Sequence, residues 1–216
     1  MSESVATQTA QPQTAHAPEA SGQDSGLELK ASMHAQPIRK VGEYEGNPIG
    51  LSEEACKAIA PELDKHLAAY NVLYHQYHKH HWLVVGPQFR DLHLFLEEHY
   101  QKVHEHMDKV AERLTVLGFV PTCSPIEQEK LSYIRHEPEG QFRVRTMLDL
   151  DLAAERKVSI SLRETVKLCL EHGDFGTKKL LEKMLQHAED RAHHLEHFLE
   201  EDSLAIGLFH DASDLK

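Results

Sequence analysis

The chain has 216 residues, 40% of them hydrophobic, and carries a formal net charge of −12 at pH 7. This length accommodates one domain with a sizeable hydrophobic core and an appended tail. No run of residues approaches the roughly 18–20 apolar residues of a membrane-spanning helix, and the acidic charge argues against a surface that binds nucleic acids generally.

The cysteine and histidine content indicates the compartment and the chemistry. Cys56, Cys123 and Cys169 form no Cys-x-x-Cys motif and are odd in number, so they predict no disulfide framework. The first residues lack the basic start and apolar core of a secretory signal, which together with the free thiols predicts a reducing, cytoplasmic location. Eighteen histidines are an excess that fits a protein handling transition metals.

The N-terminal segment differs in composition from the rest of the chain. Residues 1–46 are rich in Ala, Gln, Ser, Thr and Pro and show no periodicity, which predicts a disordered extension. Residues 1–50 contain three basic and six acidic side chains, a net charge of −3. The segment therefore lacks the Lys-rich cluster with which a tail neutralises DNA phosphates, and this argues against DNA binding.

The first predicted helix begins near Ser52, whose side chain suits the N-cap position, and it ends before Gly86-Pro87. Its apolar residues recur at helical spacing and lead directly to His81. Pro61 either kinks this helix or marks the start of a second segment after a short first one.

A second helix is predicted over residues 88–117, with Gly118 in place to end it. Its apolar positions recur at the spacing of one helix face. The predicted buried face comprises Phe89, Leu92, Leu96, Val103, Val110, Leu114 and Leu117.

The apolar spacing in the second half of the chain predicts two more long helices after a long connection. Residues 119–140 contain three prolines and one short apolar pattern, which predicts a connection with one short helix. Two further helices are expected over about 143–171 and 175–200, followed by a tail at 203–216. Four long amphipathic helices of this kind predict an all-α four-helix bundle over residues 47–202.

Five side chains that bind hard or borderline metals lie in the first two helices: His81, His93, Glu97, Asp108 and Glu112. On a helix turning about 100° per residue, the last four fall on one stripe. The rise of about 1.5 Å per residue nevertheless separates positions 93 and 112 by about 28 Å, whereas metal–ligand bonds are about 2.0–2.6 Å. One straight helix therefore cannot bring both of its ends to one metal ion.

Two arrangements could use all these ligands. The chain either has two separate half-sites, or a second copy runs antiparallel across a two-fold axis and brings its 108/112 end beside the first copy's 93/97 end. The alternative without metal is an acidic, histidine-rich face exposed to solvent.

The spacing of these residues resembles that of the Dps family, the mini-ferritins named as DNA-binding proteins from starved cells. The shared pattern combines His-Trp, His-x-x-x-Glu/Asp, Asp-x-x-x-Glu-Arg and Leu-Gly. Here it reads His81-Trp82, His93, Glu97, Asp108, Glu112-Arg113 and Leu117-Gly118. The flanking residues are most similar to the cyanobacterial and haloarchaeal branch, and many members carry Asp where this chain has Glu97.

The resemblance implies a ferritin-like bundle assembled into a hollow dodecamer that oxidises Fe(II) with hydrogen peroxide and stores Fe(III). It implies that His81, His93 and Glu97 of one subunit bind iron together with Asp108 and Glu112 of the two-fold related subunit, at a site that also admits zinc. The implied role is protection from oxidative and iron stress. Trp82 is either part of the core or, as the resemblance implies, a residue that intercepts radicals near the iron.

Two other classes of function remain open. The first is a nucleoid-binding structural protein in which iron handling is secondary; Lys/Arg clusters would favour it. The second is a ferritin or enzyme with a di-iron site inside each bundle, because Asp190-x-x-His193 resembles the Glu-x-x-His motif of larger ferritins. The second helix has no matching motif, so His187, His193, His194 and His197 are interpreted as a polar face with some affinity for zinc.

Overall fold

The computed structural model describes residues 36–200, which contain five helices and no strand. The helices are α1 (Glu53–Leu83), α2 (Phe89–Val116), α3 (Pro125–Leu131), α4 (Val144–Glu171) and α5 (Phe175–Leu199). The four long helices form the predicted bundle, and α3 is the predicted short helix in the long connection, so both predictions are confirmed. Within the described residues, no helix is long and apolar enough to cross a membrane.

The connections decide which helices are neighbours. Short loops join α1 to α2 and α4 to α5, and each of these pairs packs along its length as an antiparallel hairpin. The long connection that contains α3 crosses from one hairpin to the other, where α1 packs against α4. The loop between α1 and α2 carries His81 and His93 at its two sides.

Helix α1 runs through Pro61 as one element of 31 residues, so the alternative of two segments is excluded. Ser52 caps its first turn, where the side-chain oxygen accepts a hydrogen bond from the Ala55 N–H at 3.1 Å. Pro61 cannot donate to the carbonyl of Lys57, but both residues are exposed and water can satisfy that carbonyl.

Gly118 closes the C-terminus of helix α2 as the sequence predicts. The N–H of Gly118 donates to Thr115 O and that of Phe119 to Leu114 O, the two bonds that close a helix on a left-handed residue. Gly118 has φ +88°, and a Cβ there would lie 2.1 Å from the carbonyl oxygen of Gly46. Only glycine accommodates both the backbone conformation and this contact.

The contact at Gly118 also extends the folded unit towards the N-terminus. Arg39 Nη2 and the Glu45 N–H both donate to Gly118 O, at 2.8 and 3.2 Å, and Tyr44 packs against Phe119. The folded unit therefore begins by Ile38, earlier than the predicted boundary at residue 47. The rest of the predicted extension, residues 1–35, and the predicted tail at 203–216 lie outside the described residues.

A buried network of charges fixes the last turns of α1 to the long connection and to α4. Lys79 Nζ lies 2.6 Å from a Glu137 oxygen, while His80 lies between Glu137, at 3.1 Å, and Asp151, at 2.7 Å. Burial lowers the pKa of His80, but the hydrogen bonds to Asp151 and Glu137 outweigh it and raise this pKa above its ordinary value. The network immobilises the turn that also carries His81.

Candidate metal centre

His81 and His93 face each other where the loop between α1 and α2 closes. Their rings are stacked, with centroids 3.7 Å apart and planes inclined by 20°. The Nδ1 of His81 lies 2.9 Å from the backbone oxygen of His93, and the Nδ1 of His93 lies 2.9 Å from the backbone oxygen of His81. The two side chains thus hold each other in place through a reciprocal pair of hydrogen bonds.

These two hydrogen bonds determine which nitrogen of each ring is free. A carbonyl oxygen only accepts, so each Nδ1 must carry the hydrogen and donate it. In the neutral form of such a ring, the lone pair lies on Nε2. Metal-bound histidines commonly take this form, with one nitrogen donating to a carbonyl and the other bound to the metal. Both rings are partly exposed, so the Nε2 atoms of His81 and His93 suit metal binding.

Glu97 lies one turn after His93 on the same face of α2 and is half-buried. One of its carboxylate oxygens accepts a hydrogen bond from Gln101 Nε2 at 3.3 Å. No three His, Cys, Asp or Glu side chains among residues 36–200 are arranged to hold one metal ion. The structure therefore brings His81 and His93 together, but it does not bring Glu97 to the same ion within one chain.

Asp108 and Glu112 lie on exposed positions of α2, four residues apart on one face. From His93 to Glu112 the helix rises by about 28 Å. A single chain thus presents imidazoles at one end of α2 and carboxylates further along it. An ion that binds both groups needs a second copy of the chain.

An exposed apolar surface surrounds the histidine pair. Trp82 is 64% exposed and packs on His78, with ring centroids 4.3 Å apart, so it is not a core residue. Phe89 was predicted to be buried, but it is 46% exposed and stacks on His93. Helical spacing cannot show that the first turn of α2 extends past the core of the bundle. Exposed apolar side chains next to polar residues are typical of an interaction surface.

The interior of the bundle contains an ion pair. Arg191 of α5 donates to both carboxylate oxygens of Glu155 in α4, and Tyr77 donates to Glu155 at 2.8 Å. The Asp190 and His193 side chains of the ferritin-like motif are both exposed. The guanidinium of Arg191 in the centre of the bundle disfavours a metal cation there. The Asp190-x-x-His193 motif of α5 supplies no ligand to the interior. The arrangement does not support a di-iron site inside one bundle.

The comparisons with known proteins agree with the fold. A family model described as a ferritin-like domain matches residues 61–205. The chain is 39% identical over 169 residues to the nutrient stress-induced DNA-binding protein of a Synechococcus species, an alignment that covers 78% of this chain and 96% of that protein.

Solved structures give the same result. An archaeal Dps homologue from Halobacterium salinarum matches with a TM-score of 0.76 and 37% identity, over 80% of this chain and 96% of that one. A Dps protein from Vibrio cholerae, described as a member of a superfamily of ferritin-like diiron-carboxylate proteins, matches with a TM-score of 0.68 and 26% identity, over 73% and 99%. The chain has a ferritin-like fold. Within that class, it belongs to the Dps family.

Proposed function

We propose that the protein is a ferroxidase and iron-storage protein whose catalytic site is shared between two copies of the chain. The observation that carries the proposal is the reciprocal hydrogen bonding of His81 and His93, which directs both Nδ1 atoms to backbone carbonyls and leaves both Nε2 atoms for a metal. Membership of the Dps family supports the proposal. The chemistry of the candidate ligands supports it as well, because imidazole and carboxylate ligands with open coordination positions suit Fe(II).

The separation of the ligands along α2 supports a shared site. If a second copy runs antiparallel across a two-fold axis, its Asp108 and Glu112 reach the His81, His93 and Glu97 of the first copy. The same operation generates a second, equivalent site. It also covers the exposed aromatic surface around Trp82, which a single chain leaves in contact with water.

The proposed reaction transfers electrons from iron to hydrogen peroxide. Two Fe(II) ions each give one electron to one peroxide molecule, which takes up two protons and becomes two molecules of water. The Fe(III) product is stored as a mineral inside a hollow dodecamer. The reaction consumes both reagents of hydroxyl-radical formation, so the proposed role is protection of the cytoplasm from oxidative stress. Zinc, which binds the same ligands but has no redox chemistry, is expected to compete with Fe(II).

The first test measures assembly and iron oxidation in the purified full-length protein. We expect light scattering after size exclusion to give the mass of a dodecamer. Addition of hydrogen peroxide to the Fe(II)-loaded protein should oxidise the iron without releasing hydroxyl radicals, which a spin trap detects. A 24-subunit mass, or radical production equal to that of free Fe(II), would contradict the proposal.

DNA binding is the second candidate function, because the Synechococcus relative is named as a DNA-binding protein. Phosphate neutralisation needs clustered Lys and Arg, whereas this chain has a net charge of −12 and residues 1–50 a net charge of −3. We therefore expect no shift of duplex DNA in a gel at roughly 150 mM salt. The assay should contain a chelator, since divalent cations could bridge two polyanions. Tight binding that weakens steeply with added salt would favour the DNA-binding function instead.

A further inference from the structure

Two exposed histidines on α5 lie one helical turn apart and away from the α1–α2 surface. The Nε2 atoms of His193 and His197 are 3.1 Å from each other. Their ring centroids are 4.4 Å apart and the ring planes are inclined by 72°. The proposed iron ligands all lie on α1 and α2, so these two side chains are not part of the iron site.

A second pair of histidines shows what an ordinary hydrogen bond between two imidazoles looks like in this protein. His106 Nε2 and His187 Nδ1 are 2.9 Å apart, with centroids separated by 5.1 Å and planes inclined by only 3°. Those rings are arranged end to end. In the pair of His193 and His197, the two Nε2 atoms are further apart than the bonded nitrogens of His106 and His187, but the ring centroids are closer together. These two rings therefore meet edge to face, and their Nε2 atoms lie next to each other at the point of contact.

The separation of the two Nε2 atoms matches the requirements of one metal ion. Two nitrogens that each bind a metal at about 2.0–2.1 Å, in adjacent coordination positions, lie about 3 Å apart. We propose that His193 and His197 form a second binding site for a divalent transition metal, with Zn²⁺ as the representative ion. Water would occupy the remaining coordination positions, because the helix supplies only two nitrogen ligands.

The surrounding charges favour a cation at this position. A Glu200 oxygen lies 3.7 Å from the Nδ1 of His197, on the side of the ring opposite to the proposed metal. Asp190 is exposed on the same face of α5, one turn before His193. Two imidazoles with water select zinc, copper or nickel over magnesium and calcium, which prefer oxygen ligands.

His194 provides an internal control, because it is exposed on the same helix but points in a different direction. Its ring centroid is 6.1 Å from that of His193, which is further than the ring of His197. A metal held by His193 and His197 leaves His194 free, whereas non-specific binding to a histidine-rich surface affects all three residues equally.

The experiment uses the full-length protein and measures acylation of each histidine by diethyl pyrocarbonate, read by tandem mass spectrometry. We expect Zn²⁺ to slow modification of His193 and His197 at least about tenfold, because a metal-bound Nε2 has no lone pair to react. His194 should react at an unchanged rate, and Mg²⁺ should protect none of the three.

Two variants complete the test. His197→Asn should abolish the protection of His193 by Zn²⁺, whereas His194→Asn should leave it intact. The proposal is overturned if His194 is protected equally, if protection of His193 survives in His197→Asn, or if both residues are already unreactive without metal. The iron site does not enter this measurement, so its result is independent of the proposed ferroxidase activity.

Discussion

Changing both His81 and His93 to alanine is expected to slow Fe(II) oxidation by peroxide at least about tenfold. Even the loss of a hydrogen bond that orients a metal ligand lowers affinity or activity by about 10–100-fold, and here two ligands are removed. The two side chains also orient each other, since each donates to the backbone of the other. The measurement is stopped-flow absorbance of Fe(III) formation under anaerobic conditions with added peroxide.

A matched variant controls for the number of histidines removed. His75 and His194 are exposed residues of α1 and α5 that lie outside the proposed iron site. The double change of these two residues to alanine should keep the wild-type rate. Both variants must retain the assembled mass by light scattering. If the two double variants oxidised Fe(II) equally fast in intact assemblies, His81 and His93 would not be iron ligands.

The second large effect is expected on stability, from the buried ion pair of Glu155 and Arg191. Glu155→Gln removes the counter-charge of a guanidinium that is 4% exposed. Removing one partner of a buried pair lowers the free energy of unfolding by about 3–5 kcal/mol, because the remaining charge is left without compensation. The measurement is the urea dependence of helical circular dichroism at one fixed protein concentration, since assembly also contributes to stability.

An exposed ion pair between the same two helices provides the control. Glu189 of α5 pairs with Arg163 of α4, and both side chains are about half exposed. Glu189→Gln should change the free energy of unfolding by less than about 1 kcal/mol. Replacing both Glu155 and Arg191 by leucine, together with Tyr77→Phe to remove the hydroxyl that donates to Glu155, should recover most of the stability lost in Glu155→Gln. An equal loss in Glu155→Gln and Glu189→Gln would show that the buried pair contributes no more than a surface pair.

The helices could be predicted from sequence because local rules determine their ends. Ser52 and Gly118 mark helix boundaries through capping bonds within a few residues, and the apolar spacing between them is regular. Packing of residues 38–46 could not be predicted in this way. Tyr44 and Arg39 hold that segment through single contacts with the end of α2, and single contacts produce no periodic pattern.

Sequence spacing indicated candidate ligands but not the geometry of the site. Spacing along α2 placed the carboxylates far from His93, which follows from helix dimensions alone. The reciprocal bonds between His81 and His93 depend on how the five-residue loop closes, which sequence spacing does not describe. The exposure of Phe89 likewise depends on where the bundle ends. Participation of Glu97, Asp108 and Glu112 in the iron site stays a prediction.

The sharing of one site between two chains is tested most directly by mixing two defective proteins. One carries His81→Ala and His93→Ala, and the other carries Asp108→Ala and Glu112→Ala. Each alone should oxidise Fe(II) poorly, since every site lacks two of its proposed ligands. When one copy of each meets across a two-fold axis, one site is complete and the other has lost both sets.

Unfolding the two proteins together and refolding them should therefore restore about one quarter of the wild-type activity, since half of the randomly formed dimers are mixed and each has one complete site. Different affinity tags on the two chains verify that they have assembled together. Recovery of iron oxidation in the doubly tagged assemblies is the predicted result. Doubly tagged assemblies that oxidise Fe(II) no faster than either parent would contradict a site shared across the two-fold axis.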